Sequence, residues 1–178
     1  MQCKITKSGL LMALLCAFAL NASAATEDFT RVELFGGYQF THIGGVGGVN
    51  TNGWNAALTG NVNRWFGVTA DFSGSYKGAG GLSAKAHTFT FGPQFSLRSG
   101  RVTAFAHVLA GGFHASGGFE DLSAGTRGLA VLAGGGIDAR VNARLAVRLF
   151  QADWLLWRTQ GITEKQNARI SAGVVFCF

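Results

Sequence analysis

The sequence predicts an all-β fold, an eight-stranded antiparallel up-and-down β-barrel that crosses a membrane. Two observations support this prediction. Apolar and polar residues alternate with a period of two along most of the chain, which is typical of strands with two different faces. The 178 residues also include 27 glycines and one proline, and no segment beyond the first 24 residues has helical periodicity. Strands are therefore expected throughout the remaining chain.

The amino-terminal segment has the features of a cleaved secretory signal peptide. Two lysines precede an apolar run from Leu10 to Leu20, and small residues at Ala22 and Ala24 match an A-x-A cleavage site. The run has about half the roughly 20 apolar residues that a membrane-spanning helix needs. We therefore expect residues 1–24 to be removed, leaving residues 25–178 as one barrel domain.

The clearest predicted strand extends from Phe66 to Tyr76 and has one apolar and one polar face. Its apolar face carries Phe66, Val68, Ala70, Phe72, Gly74 and Tyr76. Its polar face carries Gly67, Thr69, Asp71, Ser73 and Ser75. Glycine and small polar side chains suit the narrow lumen of an eight-stranded barrel, whereas bulky apolar side chains suit contact with lipid.

The same split recurs in five further segments. In chain order, their apolar positions are Leu34, Tyr38 and Phe40, then Trp54, Leu58 and Val62, then Phe89, Phe91 and Phe95, then Leu129, Val131, Ile137 and Val141, and finally Ile170, Val174, Phe176 and Phe178. The positions between them are mainly glycine, polar or charged. Phe35 is an apolar exception on the first polar face, and Pro93 removes one ladder hydrogen bond from the fourth strand.

Two segments alternate less clearly. From Val102 to Ala115 both faces are apolar. The two possible exteriors of this strand are Phe105, Leu109 and Phe113, or Val102 and Val108. From Leu145 to Trp157, strict alternation puts Arg148 and Asp153 on opposite faces, and an arginine facing lipid at mid-membrane costs roughly 2–4 kcal/mol. We therefore predict a β-bulge near Phe150 that returns Asp153 to the interior.

The predicted connections alternate between short and long. Tight turns are expected at residues 63–65, 98–101 and 142–144. Longer polar or glycine-rich loops are expected at residues 44–53, 77–85, 116–127 and 158–166. Turns at the periplasmic end and longer loops at the extracellular end are typical of transmembrane barrels. Aromatic residues near the predicted strand ends match interfacial girdles: Trp54, Trp65, Tyr76, Trp154 and Trp157.

The chain ends in Ser171-Ala172-Gly173-Val174-Val175-Phe176-Cys177-Phe178. With the polar Ser171, the glycine Gly173, and aromatic residues at Phe176 and Phe178, this ending resembles the signal by which the outer-membrane insertion machinery recognises its clients. The chain resembles the small outer-membrane barrel family that includes the OmpA transmembrane domain and OmpX. The resemblance implies a monomer in the cell outer membrane, reached through the periplasm, with outer-membrane lipids and the insertion machinery as partners.

Charged residues at predicted lumen positions are the first candidate site. They are Glu33, Asp71, Asp138, Arg140, Arg148, Asp153 and Arg169. Buried charges of both signs must pair, so we expect an ion-paired plug, with a narrow passive pore as the alternative. The formal net charge of +6 does not indicate nucleic-acid binding, because the basic residues form no cluster and the chain is exported.

An enzymatic alternative involves His114, Ser116 and Glu120, because a base beside a hydroxyl, oriented by a carboxylate, is the geometry of acyl transfer. The spacing is similar to the His-x-Ser element of outer-membrane lipid A deacylases, although Gly117 replaces the asparagine that follows the serine in that family. The four histidines lack metal-ligand spacing, so no metal or other cofactor is expected. We expect a non-enzymatic barrel with a structural or surface-interaction role in the Gram-negative envelope.

Overall fold

A computed structural model describes residues 29–44, 49–79, 82–119, 122–159 and 162–178. It contains eight strands: β1 (Val32–Ile43), β2 (Val49–Asn61), β3 (Phe66–Ala79), β4 (Leu82–Ser99), β5 (Val102–Phe119), β6 (Leu122–Arg140), β7 (Leu145–Thr159) and β8 (Ile162–Cys177). Each strand pairs antiparallel with the next, and β1 pairs with β8, so the sheet closes into an up-and-down barrel. The predicted fold class is confirmed, while the predicted signal peptide, residues 1–24, lies outside the described residues. The described part of the chain contains no helix long and apolar enough to cross a membrane.

The two faces predicted from alternation are the two faces of the barrel. On β4, for example, the outward Phe91 is 59% exposed while its inward neighbour Thr90 is fully buried. Phe35, the exception on the first polar face, points into the barrel and is buried. The outside is therefore largely apolar and the inside largely polar, which is the reverse of a soluble barrel.

The structure decides which face of β5 points outward. Val102 and Val108 are on the exterior, whereas the longer Phe105 and Phe113 are buried in the lumen. Glycines on the neighbouring strand β6 create the room that these aromatic rings need. A Cβ atom built at Gly136 would lie 2.9 Å from Cζ of Phe105. The alternation within β5 could not reveal this, because the space is made by another strand.

The predicted bulge in β7 is confirmed. Ile137 of β6 pairs with Phe150, and the next residue, Asp138, pairs with Arg148, so Leu149 is an extra residue in the ladder. Leu149 and Phe150 both point outward. The extra residue restores the inward direction of the side chains that follow, and Asp153 is buried as a result.

The three tight turns are where the sequence predicts them, at residues 62–65, 100–101 and 141–144. Gly100 has a φ of +57°, which glycine adopts without the steric cost of a Cβ atom. We call the end of the barrel that carries these turns and Phe178 the turn end, and the opposite end the far end.

The prediction of longer loops at residues 77–85, 116–127 and 158–166 is wrong. In the fourth predicted loop, residues 44–53, strand β2 begins at Val49, and residues 45–48 lie outside the described residues. Pairing continues to Ala79 and Leu82 between β3 and β4, to Phe119 and Leu122 between β5 and β6, and to Thr159 and Ile162 between β7 and β8. Glycine and small polar residues suggest a loop by composition, yet a β-ladder is held by backbone hydrogen bonds that need no particular side chain. These hairpins therefore extend into the segments predicted as loops.

The ladder between β4 and β5 has a gap. Phe91 pairs with Ala110 and Gln94 pairs with His107, but Gly92 and Pro93 have no partner in this register. Proline has no N–H to donate to the neighbouring strand. This accounts for the position of the proline within a paired strand, which alternation alone left unexplained.

Candidate functional site

The centre of the lumen is organised around the guanidinium group of Arg169 on β8. Its Nη1 and Nη2 atoms donate to Oδ1 and Oδ2 of Asp71 on β3, at 2.8 and 3.0 Å. Its Nε and Nη2 atoms also donate to Oδ2 of Asp153 on β7, at 2.8 and 2.6 Å. Asn55 adds a further donor to Asp71, at 2.9 Å. One buried cation thus holds carboxylates from two other strands.

A second guanidinium group, that of Arg148 on β7, forms a similar centre nearer the turn end. Its Nε and Nη2 atoms donate to the two carboxylate oxygens of Asp138, at 2.8 and 3.0 Å, and its Nη1 atom donates to Oε1 of Gln151 at 2.6 Å. The rings of Phe35 and Phe105 lie 4.3 and 4.1 Å from its central carbon. Arg148 is therefore paired in the guanidinium plane and stacked on aromatic rings.

Gln151 and Asp153 join the two arginine centres. Nε2 of Gln151 donates to Oδ2 of Asp153 at 2.7 Å, and Nε2 of His107 on β5 donates to Oδ1 of the same carboxylate at 2.8 Å. We call these connected side chains the central network, and its members are Asn55, Asp71, His107, Asp138, Arg148, Gln151, Asp153 and Arg169. They come from six strands, β2, β3 and β5 to β8.

Glycines on the inner face create room for the central network. A Cβ atom at Gly134 would lie 2.2 Å from Oδ1 of Asp153. At Gly37 it would lie 2.7 Å from Cζ of Phe35, the ring that stacks on Arg148. The alternation predicts glycine at lumen positions, but only the pairing of the strands shows which large side chain each glycine accommodates.

Besides its charged residues, the inner face of β1 to β4 carries uncharged polar side chains that pair with each other. Oγ1 of Thr69 donates to Oε1 of Gln94 at 2.9 Å and lies 2.8 Å from Oγ1 of Thr59. Nε2 of Gln39 donates to Oγ of Ser75 at 2.7 Å. The inner wall opposite β5 to β7 is therefore also cross-linked by hydrogen bonds between strands.

A smaller ion pair closes the turn end. Nη2 of Arg98 on β4 donates to Oε1 of Glu33 on β1 at 2.8 Å, and Nδ2 of Asn61 donates to the same oxygen at 2.9 Å. The sequence predicts a turn at Arg98, so its pairing with Glu33 in the lumen is not predicted. Arg140, which is predicted to join the lumen charges, is half-buried at the end of β6, and its backbone N–H donates to the carbonyl of Arg101.

Towards the far end, the interior becomes apolar. Its cluster of buried side chains consists of Leu109, Phe113, Ala130, Leu132 and Leu155. The ring of Trp157 stacks on Phe113 with 4.9 Å between centroids. The prediction that Trp157 belongs to an outer aromatic girdle is therefore wrong, because the bulge at Leu149 shifts the facing of the residues after it.

Two of the three candidate acyl-transfer residues, His114 and Ser116, lie on β5. His114 is exposed, and its Nδ1 atom accepts a hydrogen bond from Nε of Arg127 at 3.3 Å. Ser116 is half-buried on the same strand, and Glu120 lies outside the described residues. The described residues contain no group of three His, Cys, Asp or Glu side chains suited to a metal ion.

The predicted assembly signal occupies the end of β8. Ser171 is buried in the lumen, and Phe176 and Phe178 are exposed on the outside. Gly173 pairs with Gly37 of β1, where a Cβ atom would lie 2.3 Å from the carbonyl oxygen of Gly36. This glycine therefore permits close contact at the seam that closes the barrel.

The chain is similar to several solved structures of small outer-membrane barrels. Neisserial surface protein A is similar with a TM-score of 0.68 and 12% identity, over 84% of this chain and 98% of its own. The attachment invasion locus protein Ail of Yersinia pestis is similar with a TM-score of 0.61 and 16% identity, over 84% and 99%.

The N-terminal barrel domain of Pseudomonas aeruginosa OprF is a third neighbour, with a TM-score of 0.56 and 9% identity over 84% of this chain and 98% of its own. No protein-family model and no curated protein matches the chain. The structural neighbours show that the chain has the fold of the small eight-stranded outer-membrane β-barrels. The resemblance to small outer-membrane barrels that the sequence predicts is therefore confirmed.

Proposed function

We propose that this protein is a monomeric, non-enzymatic barrel of the Gram-negative outer membrane, with a closed lumen and a structural or surface-interaction role in the envelope. The central network is the observation that carries the proposal. It brings paired charges from opposite walls together in the lumen, and Arg169 and Asp153 within it are almost fully buried.

The energetics of buried charge favour a plug over a conducting pathway. Each arginine in the central network donates to a carboxylate with two hydrogen bonds, so its charge is compensated within the protein. Removing one partner from a buried pair costs about 3–5 kcal/mol, so the pairs resist separation by a passing ion. The apolar cluster around Leu109 and Leu132 adds an apolar layer on the far-end side of these pairs.

The outer face supports the membrane location. Large apolar side chains such as Phe91 and Leu129 are more than half exposed there. A soluble monomer rarely exposes a continuous apolar surface of this kind, whereas lipid is a favourable solvent for it. The turn end would then face the periplasm, and the far end the outside.

Recording in planar lipid bilayers tests the closed lumen. The purified monomer should give no reproducible single-channel steps, while Arg169→Ala should admit water and ions because Asp71 and Asp153 lose their shared cation. Arg101→Ala is the matched control, since Arg101 lies in an exposed turn. Regular conductance steps from the unmodified protein would overturn the plug and favour the narrow-pore alternative.

Electrophoretic mobility in SDS tests the barrel in its membrane. Protein extracted from outer membranes should migrate faster unboiled than boiled, as a detergent-resistant barrel does. Recovery in the soluble periplasmic fraction without a mobility shift would refute the membrane location.

Mass analysis of lipid A tests the absence of catalysis. Lipid A from cells that produce the protein should keep the acyl chains found in cells that lack it. Loss of an acyl chain that is prevented by Ser116→Ala would instead establish the deacylase-like alternative.

A further inference from the structure

A groove of about 500 Å³ opens on the outer face of the barrel between β2 and β6. Aromatic side chains of Trp54, Phe72 and Phe89 form its apolar part. Gly112 of β5 lies within it and has no side chain to fill the space. The groove is thus a largely apolar depression on the outer face, bordered by large aromatic side chains.

Three basic or titratable side chains line the same groove towards the far end. His87, His114 and Arg127 come from the neighbouring strands β4, β5 and β6. Their backbones are paired directly, His87 with His114 and His114 with Arg127. Nε of Arg127 donates to Nδ1 of His114, and among the described residues no group accepts a hydrogen bond from its terminal nitrogens. The sequence predicts a role only for His114 among these three, as a candidate catalytic base, and does not predict that they form a row.

The groove crosses the expected boundary between hydrocarbon and headgroups. A tilted strand crosses the hydrocarbon in about 9–11 residues. Phe72 lies six residues from the beginning of β3 at Phe66, well within that span. Arg127 lies thirteen residues from the end of β6 at Arg140, which is beyond it.

We propose that this groove binds a phosphorylated lipid of the outer leaflet. An acyl chain lies along the aromatic part beside Gly112, and a headgroup phosphate accepts hydrogen bonds from Arg127 and the adjoining histidines. Guanidinium groups match the geometry of phosphate, and basic clusters at a membrane surface attract anionic lipids. A lipid rather than a soluble anion is indicated because the apolar part of the groove faces the hydrocarbon.

Gly112 allows the apolar part to be blocked without disturbing the barrel. A Cβ atom built there meets only the carbonyl oxygen of Gly128, at an ordinary contact distance of 3.6 Å. Gly36, on the outer face of β1, has nothing within 4 Å of its Cβ position. Gly112→Leu therefore fills the groove, and Gly36→Leu makes the same change on the outer face elsewhere.

Native mass spectrometry of the detergent-solubilised barrel provides the test, with hexa-acylated lipid A carrying two phosphates as the probe. One lipid should bind the unmodified protein. Arg127→Gln should weaken its apparent affinity about fivefold, in line with the contribution of one basic residue near a membrane surface. Gly112→Leu should abolish the specific adduct, while Gly36→Leu and Arg101→Gln should bind as the unmodified protein does.

The dephosphorylated form of the same lipid separates phosphate recognition from adhesion of acyl chains. The unmodified protein should bind the dephosphorylated lipid no more tightly than Arg127→Gln binds the phosphorylated lipid. Equal binding of both lipids, or equal binding by all five proteins, would overturn the proposal. The inference rests on the proposed membrane location, but the two failures are distinct: an unmodified protein that keeps the SDS mobility shift and binds no lipid A refutes only the lipid site.

Discussion

Arg169 on β8 and Asp71 on β3 are 98 residues apart in the chain and are joined by two hydrogen bonds across the lumen. Strands β1 and β2 lie between their strands along the wall of the barrel. The pair therefore fixes the width of the lumen as well as neutralising charge. The same guanidinium group also holds Asp153, so three strands depend on one side chain.

Replacing Arg169 with methionine should cost about 3–5 kcal/mol of unfolding free energy, because two buried carboxylates lose their cation. The measurement is urea-dependent unfolding of the barrel in lipid vesicles. Arg101→Met is the control, since Arg101 is exposed in a turn and its loss should have little effect. A loss below about 1 kcal/mol for Arg169→Met would show that Asp71 and Asp153 are stabilised in another way.

Replacing Arg148 with lysine should not preserve stability, although it preserves the charge. A lysine ammonium cannot reproduce two parallel hydrogen bonds to Asp138 together with the stacking of a planar group on Phe35 and Phe105. We expect a loss of roughly 1–3 kcal/mol in the same unfolding measurement, since a buried hydrogen-bonding group is left unpaired. Unfolding at the same urea concentration as the unmodified protein would contradict the importance of this geometry.

Adding one methyl group at Gly134 should destabilise the barrel by about 1–3 kcal/mol. The new Cβ atom would lie 2.2 Å from Oδ1 of Asp153 and 2.3 Å from the carbonyl oxygen of Ala152, so the central network or the strand must move. Gly36→Ala is the matched control because its Cβ position is empty to 4 Å. Comparing the two unfolding midpoints isolates the crowding, and equal midpoints would show that the lumen has room to spare.

The alternation of residues within a strand was sufficient to predict the fold and most of the facing. It is a local property, and the bulge at Leu149 followed from it because Arg148 and Asp153 could not both face inward without an extra residue. The far-end parts of the strands are not predicted, because segments that contain Gly78 and Gly125 resemble loops by composition, although their backbones pair in the ladders.

The candidate site was predicted as a set of charges but not as a set of partners. Which carboxylate meets Arg169 depends on the stagger of strands that are far apart in the chain, and no local pattern encodes it. His107 was missed because both faces of its strand are apolar. The inward position of His107 can be predicted only from the pairing of β5 with β6, because Gly134 and Gly136 of β6 leave space beside the inner face of β5.

Two single-residue deletions in β7 separate the effect of the direction of Asp153 from the effect of the length of the strand. Removing Leu149 makes Arg148, Phe150 and Gln151 alternate strictly, so Asp153 should stay in the lumen and the barrel should keep its heat-dependent mobility in SDS. Removing Ala152 instead turns Asp153 towards lipid and breaks its pair with Arg169, at a cost of about 3–5 kcal/mol.

Both deletions shorten β7 by one residue, so a difference between them reports on facing alone. We expect the protein that lacks Leu149 to keep the heat-dependent mobility shift in SDS. The protein that lacks Ala152 should lose most of this shift. If both deletions retain the mobility shift equally, the bulge can move along β7, and the central network does not fix its position. If both proteins lose the shift, the length of β7 matters more than the direction of Asp153, because the pairing of β7 with β8 then fails in either case.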